Sequence, residues 1–171
     1  YLFPLLPLVL LLGLAGSRDL LARRPLRLLP AVGAAALVVY AGYGWLRGAQ
    51  EYAANVDLIN RQQVWAALWV RASVPAGQVV AAHDIGALAY FGGHPVLDMA
   101  GLATPGLTQG PRDTAAVVRL ATERGAHTAL AIPDWYPPLY VALLGRWRPL
   151  LAAPAPPGAP EGQVLQILHW E

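Results

Sequence analysis

Two long uncharged runs within the first 46 residues constrain the fold of this chain most. The first runs from Tyr1 to Gly16 and the second from Leu28 to Leu46. A helix that crosses the hydrocarbon core of a bilayer needs about 20 apolar residues. We therefore predict two transmembrane helices in residues 1–46. A signal peptide is the alternative for the first run, and a buried core helix is the alternative for the second.

Composition supports a chain that lies partly in lipid. Hydrophobic residues make up 56% of the sequence and charged residues only 13%, whereas about 25% of the residues of an average soluble domain are charged. The formal net charge is only +2, so no broad basic surface indicates nucleic-acid binding. The chain has no cysteine, which excludes disulfides and thiolate metal sites.

The segment between the two runs indicates an orientation. Residues 17–27 contain Arg18, Arg23, Arg24 and Arg27 against the single acidic residue Asp19. Short loops rich in arginine stay on the cytoplasmic side of a membrane, although a solvated basic face would have the same composition. We expect the residues from Arg47 onward to be extracytoplasmic, in a multi-pass protein of the bacterial inner membrane.

The chain also reads as part of a longer protein. It opens at Tyr1 in the middle of an apolar run, and its one methionine is Met99. We therefore expect it to be a C-terminal portion, with further chemistry upstream.

Residues 47–77 are predicted to form a linking amphipathic helix. Leu58, Trp65, Leu68 and Trp69 recur on one stripe, and Asp57 and Arg61 form an i,i+4 pair on another face. Pro75 and Gly77 mark the end of this helix.

Residues 78–171 alternate between strand and helix patterns. Strands are predicted at residues 78–82, 95–97, 128–132 and 163–170, with the last one at an edge of the sheet, and helices are predicted at residues 84–91 and 112–124. Such alternation favours an α/β fold with a small, partly parallel sheet. The predicted fold class is therefore α/β, with transmembrane helices followed by a small extracytoplasmic α/β domain.

Three carboxylates follow predicted strands. They are Asp84, Asp98 and Asp134. Ligands bind beside the carboxyl ends of parallel strands, so these residues, with His83 and His94, are candidates for a substrate or acceptor crevice. The alternative is structural, with Asp84 as a helix N-cap, Asp98 bonding a turn amide and Asp134 beginning a turn. The two histidines lack the spacing of a metal site, and we expect no metal and no cofactor.

A second cluster combines aromatic and basic residues. Its aromatic members are Trp135, Tyr136, Tyr140 and Trp147, and its basic members are Arg146 and Arg148. Aromatic faces suit sugar rings, and arginine suits phosphate. A membrane-interface belt is the alternative.

The stretch from the end of the amphipathic helix to Gly106, WVRASVPAGQVVAAHDIGALAYFGGHPVLDMAGLATPG, carries a family resemblance. With its Asp84-Ile85-Gly86 and Val96-Leu97-Asp98 segments, it resembles the C-terminal end of bacterial polytopic glycosyltransferases of the GT-C class. The resemblance covers residues 28–132. It implies an enzyme that transfers a sugar from a polyprenyl-phosphate carrier to a carbohydrate or lipid acceptor outside the membrane.

The resemblance assigns no catalytic residue to this chain. In that class the acidic residue thought to activate the acceptor lies in the first outer loop, and no position here matches it. The implied role is an accessory domain that shapes the acceptor or carrier pocket, with Asp84 and Asp98 as the matching positions. A non-enzymatic membrane-anchored domain that binds carbohydrate or a partner protein is the alternative. A packing element of a transporter-like protein is a third interpretation.

Overall fold

The computed structural model describes residues 8, 11–13, 15–16, 29–107, 112–155 and 161–170. The chain divides into two compact units, residues 1–53 and residues 54–171. The long helix α1 (Leu29–Ile59) contributes residues to both. Within the first unit, the Arg47 Nε–H donates to the Tyr43 hydroxyl at 3.0 Å, and the guanidinium lies 5.6 Å from the centre of the same ring.

The structure contradicts the predicted membrane spans. Among the helices in the described part of the chain, none combines the length and the apolarity that crossing a membrane requires. The second uncharged run lies within α1, where glycines and tyrosines dilute the apolar side chains, and the helix continues unbroken into Arg47 and Glu51. The transmembrane part of the predicted fold class is therefore wrong, as is the inner-membrane location with an extracytoplasmic domain that depended on it.

The remaining membrane predictions concern residues that the structure largely leaves out. The predicted first span, Tyr1 to Gly16, lies mostly outside the described residues, and the arginine-rich loop of residues 17–27 lies entirely outside them.

A change of helix geometry follows α1. Residues Asn60–Val64 form a π-helix, and α2 (Trp65–Ser73) continues from it. The side chains that this segment buries are Gln62, Gln63, Ala66, Ala67 and Val70. The predicted apolar stripe is therefore wrong in part, because Leu68 is 48% exposed. Small alanines bring the helix close to the sheet, and the larger Leu68 is left outside.

In the described part of the chain, five strands form one mixed sheet in the order β2-β1-β3-β5-β4. They are β1 (Val80–Ala82), β2 (Val96–Asp98), β3 (Thr128–Ala131), β4 (Arg148–Ala152) and β5 (Gln166–His169). Strand β1 pairs in parallel with both β2 and β3, placing Ala81 opposite Leu97 and Ala129. Strand β5 is antiparallel to both of its neighbours, β3 and β4.

Among the described residues, three α-helices lie between these strands along the chain, and a 3-10 helix (Glu161–Gln163) precedes β5. Helix α3 (Gly86–Phe91) joins β1 to β2, α4 (Thr114–Glu123) precedes β3, and α5 (Pro137–Leu144) follows it. The Asp113 carboxylate caps α4 by accepting the Ala116 N–H at 3.0 Å, which satisfies one of the free donors in its first turn. Gly125, with φ of +66°, ends the same helix in the left-handed region that favours glycine.

Both faces of the sheet are covered. Alternate strand residues point to opposite faces: Ala81 belongs to one core with α4, α5 and the buried Trp147, while Val80 and Ala82 belong to a second core with α2 and α3. The second unit is thus a helix, sheet and helix sandwich. Its parallel strands β1, β2 and β3 end at the same edge.

Candidate functional site

The carboxyl ends of the parallel strands bring together several of the residues predicted for a crevice. His83 and Asp84 follow β1 directly, and Asp98 is the last residue of β2. Asp134 lies beyond the end of β3, and its N–H donates to the Gly162 carbonyl oxygen at 2.8 Å. The predicted partner His94 lies at the opposite edge, where its Nδ1–H donates to the Gln78 carbonyl oxygen over 3.3 Å.

His83 is the most buried titratable side chain at this edge apart from Asp98, at 7% exposed. Its Nε2 accepts the backbone N–H of Ile132 at 2.7 Å, so the neutral ring carries its proton on Nδ1. That Nδ1–H is buried and has no hydrogen-bond partner among the described residues. Burial lowers the pKa of His83 below its usual 6.5, and the nearby charges of Asp84 and Asp98 oppose this effect only in part.

Two aromatic rings from the segment after β3 pack on the imidazole. The Trp135 ring centre lies 5.2 Å from that of His83, and the Tyr136 ring centre lies 5.5 Å from it in an edge-on arrangement. Tyr136 is half-buried, whereas Trp135 remains 51% exposed. Part of the indole is therefore free to meet a ligand.

Gln63 reaches the same place from the π-helix. Its Nε2 donates to Asp84 Oδ2 over 3.4 Å. The other amide atom, Oε1, is buried and has no hydrogen-bond partner in the described structure. Buried polar atoms without a partner are uncommon and require an explanation. We call Gln63, His83, Asp84, Trp135 and Tyr136 the His83 site.

The Asp84 carboxylate is available to this site. Helix α3 takes Ile85 as its N-cap residue and shows no side-chain capping bond, so the alternative of Asp84 as an N-cap is not what the structure shows. Asp84 is half-buried beside Gln63. Its carboxylate can therefore accept further hydrogen bonds.

Asp98, in contrast, is occupied by its own loop. One carboxylate oxygen accepts the Ala100 N–H at 2.8 Å, and the other accepts the Ala103 N–H at 2.7 Å. The Asp98 N–H donates to Thr104 Oγ1 at 2.8 Å. This agrees with the structural alternative for Asp98, whose charge still reaches His83.

The rest of the predicted aromatic cluster lies elsewhere. Trp147 is fully buried, with its Nε1–H donating to the Ala126 carbonyl oxygen at 3.1 Å, so its faces meet core residues and not a sugar. Tyr140 is half-buried against the same core, and burial raises its pKa above 10.0. The Arg146 guanidinium lies 4.8 Å from the centre of the Trp170 ring, and Arg148 is exposed on β4.

Sequence reasoning missed Gln63. A polar helix residue usually faces solvent, so periodicity gave no reason to place it at the site. The available signal was the pair Gln62-Gln63, which lies one turn before Ala66 and Ala67 and so shares their face. Gln62 has a structural role, because its Oε1 accepts the buried Leu165 N–H at 2.9 Å.

The chemistry of the His83 site is that of hydrogen bonding and stacking. Asp84 offers acceptors and Trp135 offers an indole face, while Gln63 Oε1 and His83 Nδ1–H are a buried acceptor and a buried donor beside them. Within the described ranges no three histidine or carboxylate side chains are grouped so that they could hold a metal ion. The lone pair on His83 Nε2 already accepts the Ile132 N–H, which leaves this imidazole unable to act as a base in the observed geometry.

A family model described as Domain of unknown function (DUF8728) matches residues 50–163, about two thirds of the chain. Every residue of the His83 site lies within the matched range. Neither the comparison with curated proteins nor the comparison with solved structures gave a match.

Proposed function

The chain belongs to the DUF8728 family, and from the geometry of the His83 site we propose that its second unit binds a carbohydrate. The observation that supports this most strongly is a pair of buried polar atoms without partners, His83 Nδ1 and Gln63 Oε1, beside a half-exposed tryptophan. Leaving a buried donor or acceptor unpaired costs about 1–3 kcal/mol, and a suitable ligand removes that cost.

A sugar matches the donors and acceptors of the site. Each hydroxyl both donates and accepts a hydrogen bond. A sugar hydroxyl can donate to the half-buried Asp84 carboxylate directly. Gln63 Oε1 and His83 Nδ1–H are buried, so we propose that the Gln63 side chain shifts on binding and lets further hydroxyls bond to both groups. A purely anionic ligand would instead be repelled by the Asp84 carboxylate. A purely apolar ligand would leave the polar atoms unpaired.

Trp135 supplies the flat surface. Its half-exposed indole adjoins His83, and a large rigid aromatic side chain offers contact area at little entropic cost. Because the His83 ring packs against the indole, we expect the orientation of the indole to be preserved when the ligand binds.

We infer a role for this binding from the resemblance described above. The domain would hold a carbohydrate acceptor for a sugar transferase whose donor is a polyprenyl-phosphate sugar. In that reaction a base removes the acceptor hydroxyl proton, the oxygen attacks the anomeric carbon, and the bond to the lipid phosphate breaks with its electron pair on the phosphate. His83 cannot serve as that base, and Asp98 is held by its loop. The resemblance matches the activating acid to no position of this chain, so we propose acceptor binding as its role, with Asp84 as the carboxylate that accepts a hydrogen bond from the acceptor.

Calorimetric titration with methyl glycosides of mannose, glucose, galactose and arabinose tests the proposal. We expect saturable binding of at least one glycoside, with a Kd of about 1 mM, which corresponds to about 4 kcal/mol. Asp84→Asn keeps an acceptor for Gln63 but removes the charge, and a hydrogen bond to a charged group is worth about 1.5–3 kcal/mol. We expect it to weaken binding about tenfold or more. Trp135→Ala is expected to weaken binding about fivefold to tenfold.

Two substitutions outside the site serve as matched controls. Trp45 and Asp57 are exposed, so Trp45→Ala and Asp57→Asn are expected to bind as tightly as the original chain. Absence of saturable binding by all four glycosides contradicts the proposal. Equal losses in the site variants and in the controls contradict it as well.

A further inference from the structure

A cavity lies near the amino-terminal ends of β1 and β2, whereas the His83 site lies at the carboxyl ends of the parallel strands. The cavity has a volume of about 420 Å³ and lies between the C-terminal ends of α2 and α3. The residues that line it include Arg71, Val74, Tyr90, Phe91 and His94. Pockets for small molecules have volumes of about 300–1,000 Å³, so this one is large enough for a small ligand.

One side of the cavity is apolar and aromatic. Val74 is buried and belongs to the core shared by α2 and α3. The Phe91 ring packs edge-on against Tyr90, with ring centres 4.7 Å apart at 76°. Tyr90 is 82% exposed, so its ring is held by Phe91 and yet remains open to a ligand.

The other side is basic. The exposed Arg71 forms no ion pair with any of the described carboxylates. Because the His94 Nδ1–H is used by the Gln78 carbonyl oxygen, Nε2 is the ring nitrogen left for a ligand, and in the neutral ring it accepts a hydrogen bond. The cavity lining within the described structure includes no aspartate or glutamate. A guanidinium that lacks a partner is suited to a carboxylate or phosphate group.

We propose that this cavity binds a small organic anion in which a carboxylate or phosphate is attached to a flat apolar body. Its charged group would contact Arg71, and its flat body would lie on Tyr90 beside His94. The proposal is independent of carbohydrate binding, because the two sites share no residue and lie at opposite ends of the parallel strands.

The test is an NMR titration of the whole chain with phenyl phosphate, benzoate, inorganic phosphate and phenol. We expect phenyl phosphate or benzoate to bind at least about tenfold more tightly than inorganic phosphate or phenol, with shifts at Tyr90 and His94. Whichever of the two binds more tightly identifies the anion that the cavity prefers. Arg71→Gln is expected to weaken that binding about tenfold or more, since it removes a charged hydrogen bond. Tyr90→Ala is expected to weaken it about threefold or more.

Arg148→Gln is the matched control, because Arg148 is also exposed but lies on β4, away from this cavity. It is expected to leave binding unchanged. Equal affinity for phenyl phosphate, benzoate and inorganic phosphate, or unchanged affinity in Arg71→Gln, would overturn the proposal. Loss of sugar binding in Asp84→Asn with anion binding intact would separate the two sites.

Discussion

His83 places a neutral imidazole between the ends of two parallel strands. Its Nε2 accepts the Ile132 N–H, and this bond is possible only while Nε2 carries no proton. Protonation of Nε2 would place its N–H against the Ile132 N–H, and two donors cannot form a hydrogen bond with each other. It would also charge a ring that packs against Trp135 and Tyr136. The facing carboxylates of Asp84 and Asp98 favour the charged form, but burial outweighs them.

The lowered pKa of His83 gives the domain a dependence on pH. Between the folded pKa and 6.5 the unfolded chain binds a proton that the folded chain does not, so stability rises with pH in that window. We expect the contribution of His83 to be complete above about pH 7 and to be lost as the pH falls below 6.5. Urea unfolding at pH 8.0, 6.5 and 5.5 measures this.

His83→Gln is the comparison for that measurement. The glutamine side chain can still accept the Ile132 N–H, but it does not titrate. Its free energy of unfolding is expected to fall less between pH 8.0 and 5.5 than that of the original chain. An equal fall in both proteins would show that His83 does not titrate on unfolding.

The buried Gln62 side chain has a structural role, since it accepts a hydrogen bond from a distant part of the chain. Its Oε1 accepts the buried Leu165 N–H and so joins the π-helix to the segment before β5. Gln62→Met keeps the shape but leaves that N–H without a partner, which is expected to cost about 1–3 kcal/mol in urea unfolding. Gln163→Met, at an exposed glutamine, is expected to change stability by less than about 0.5 kcal/mol. Equal effects at both positions would contradict this role.

At the scale of elements, local patterns indicated the parallel part of the sheet better than the antiparallel part. Strand residues 78–82 and 128–132 and the helix at residues 112–124 were expected close to where β1, β3 and α4 lie. Each follows from a short apolar run bounded by glycine or proline, or from a helix start and stop signal. His83 and Asp84 followed from the rule about the ends of parallel strands.

The antiparallel part depends on pairing between distant residues. Strand β4, with a register shift between Pro149 and Leu151, was not predicted, and only its first residue, Arg148, belongs to the predicted aromatic and basic cluster. Strand β5 was expected at an edge, but it lies between β3 and β4. Helix α5 begins at Pro137, where only a turn was expected. Local composition does not encode which strands become neighbours, because that choice depends on how the faces bury one another.

Hydrogen exchange tests the position of β5. A strand with neighbours on both sides has its amides paired, whereas Leu150 on β4 is exposed at the register shift. We expect the Ile167 and Leu168 amides to exchange at least about a hundredfold more slowly than the Leu150 amide. Similar exchange rates at the three positions would instead indicate that β5 lies at an edge.

At the scale of the whole molecule, the family match covers four of the five described strands and ends before β5 (Gln166–His169). The matched residues 50–163 begin near the end of α1 and include the three parallel strands. The two runs predicted membrane helices because they lack charged residues. Their glycines and tyrosines are less apolar than leucine or valine, and the prediction did not take this into account. The two runs contain no residue of either proposed site, because both sites lie within residues 54–171.

The central claim is that a sugar occupies the His83 site. The most direct measurement is of nuclear Overhauser contacts between the whole chain and the methyl glycoside that binds it most tightly. Contacts from the sugar ring protons to the Trp135 indole, with amide shifts at Asp84 and Gln63, are the predicted result. Contacts confined to other residues, with none to Trp135, would contradict it.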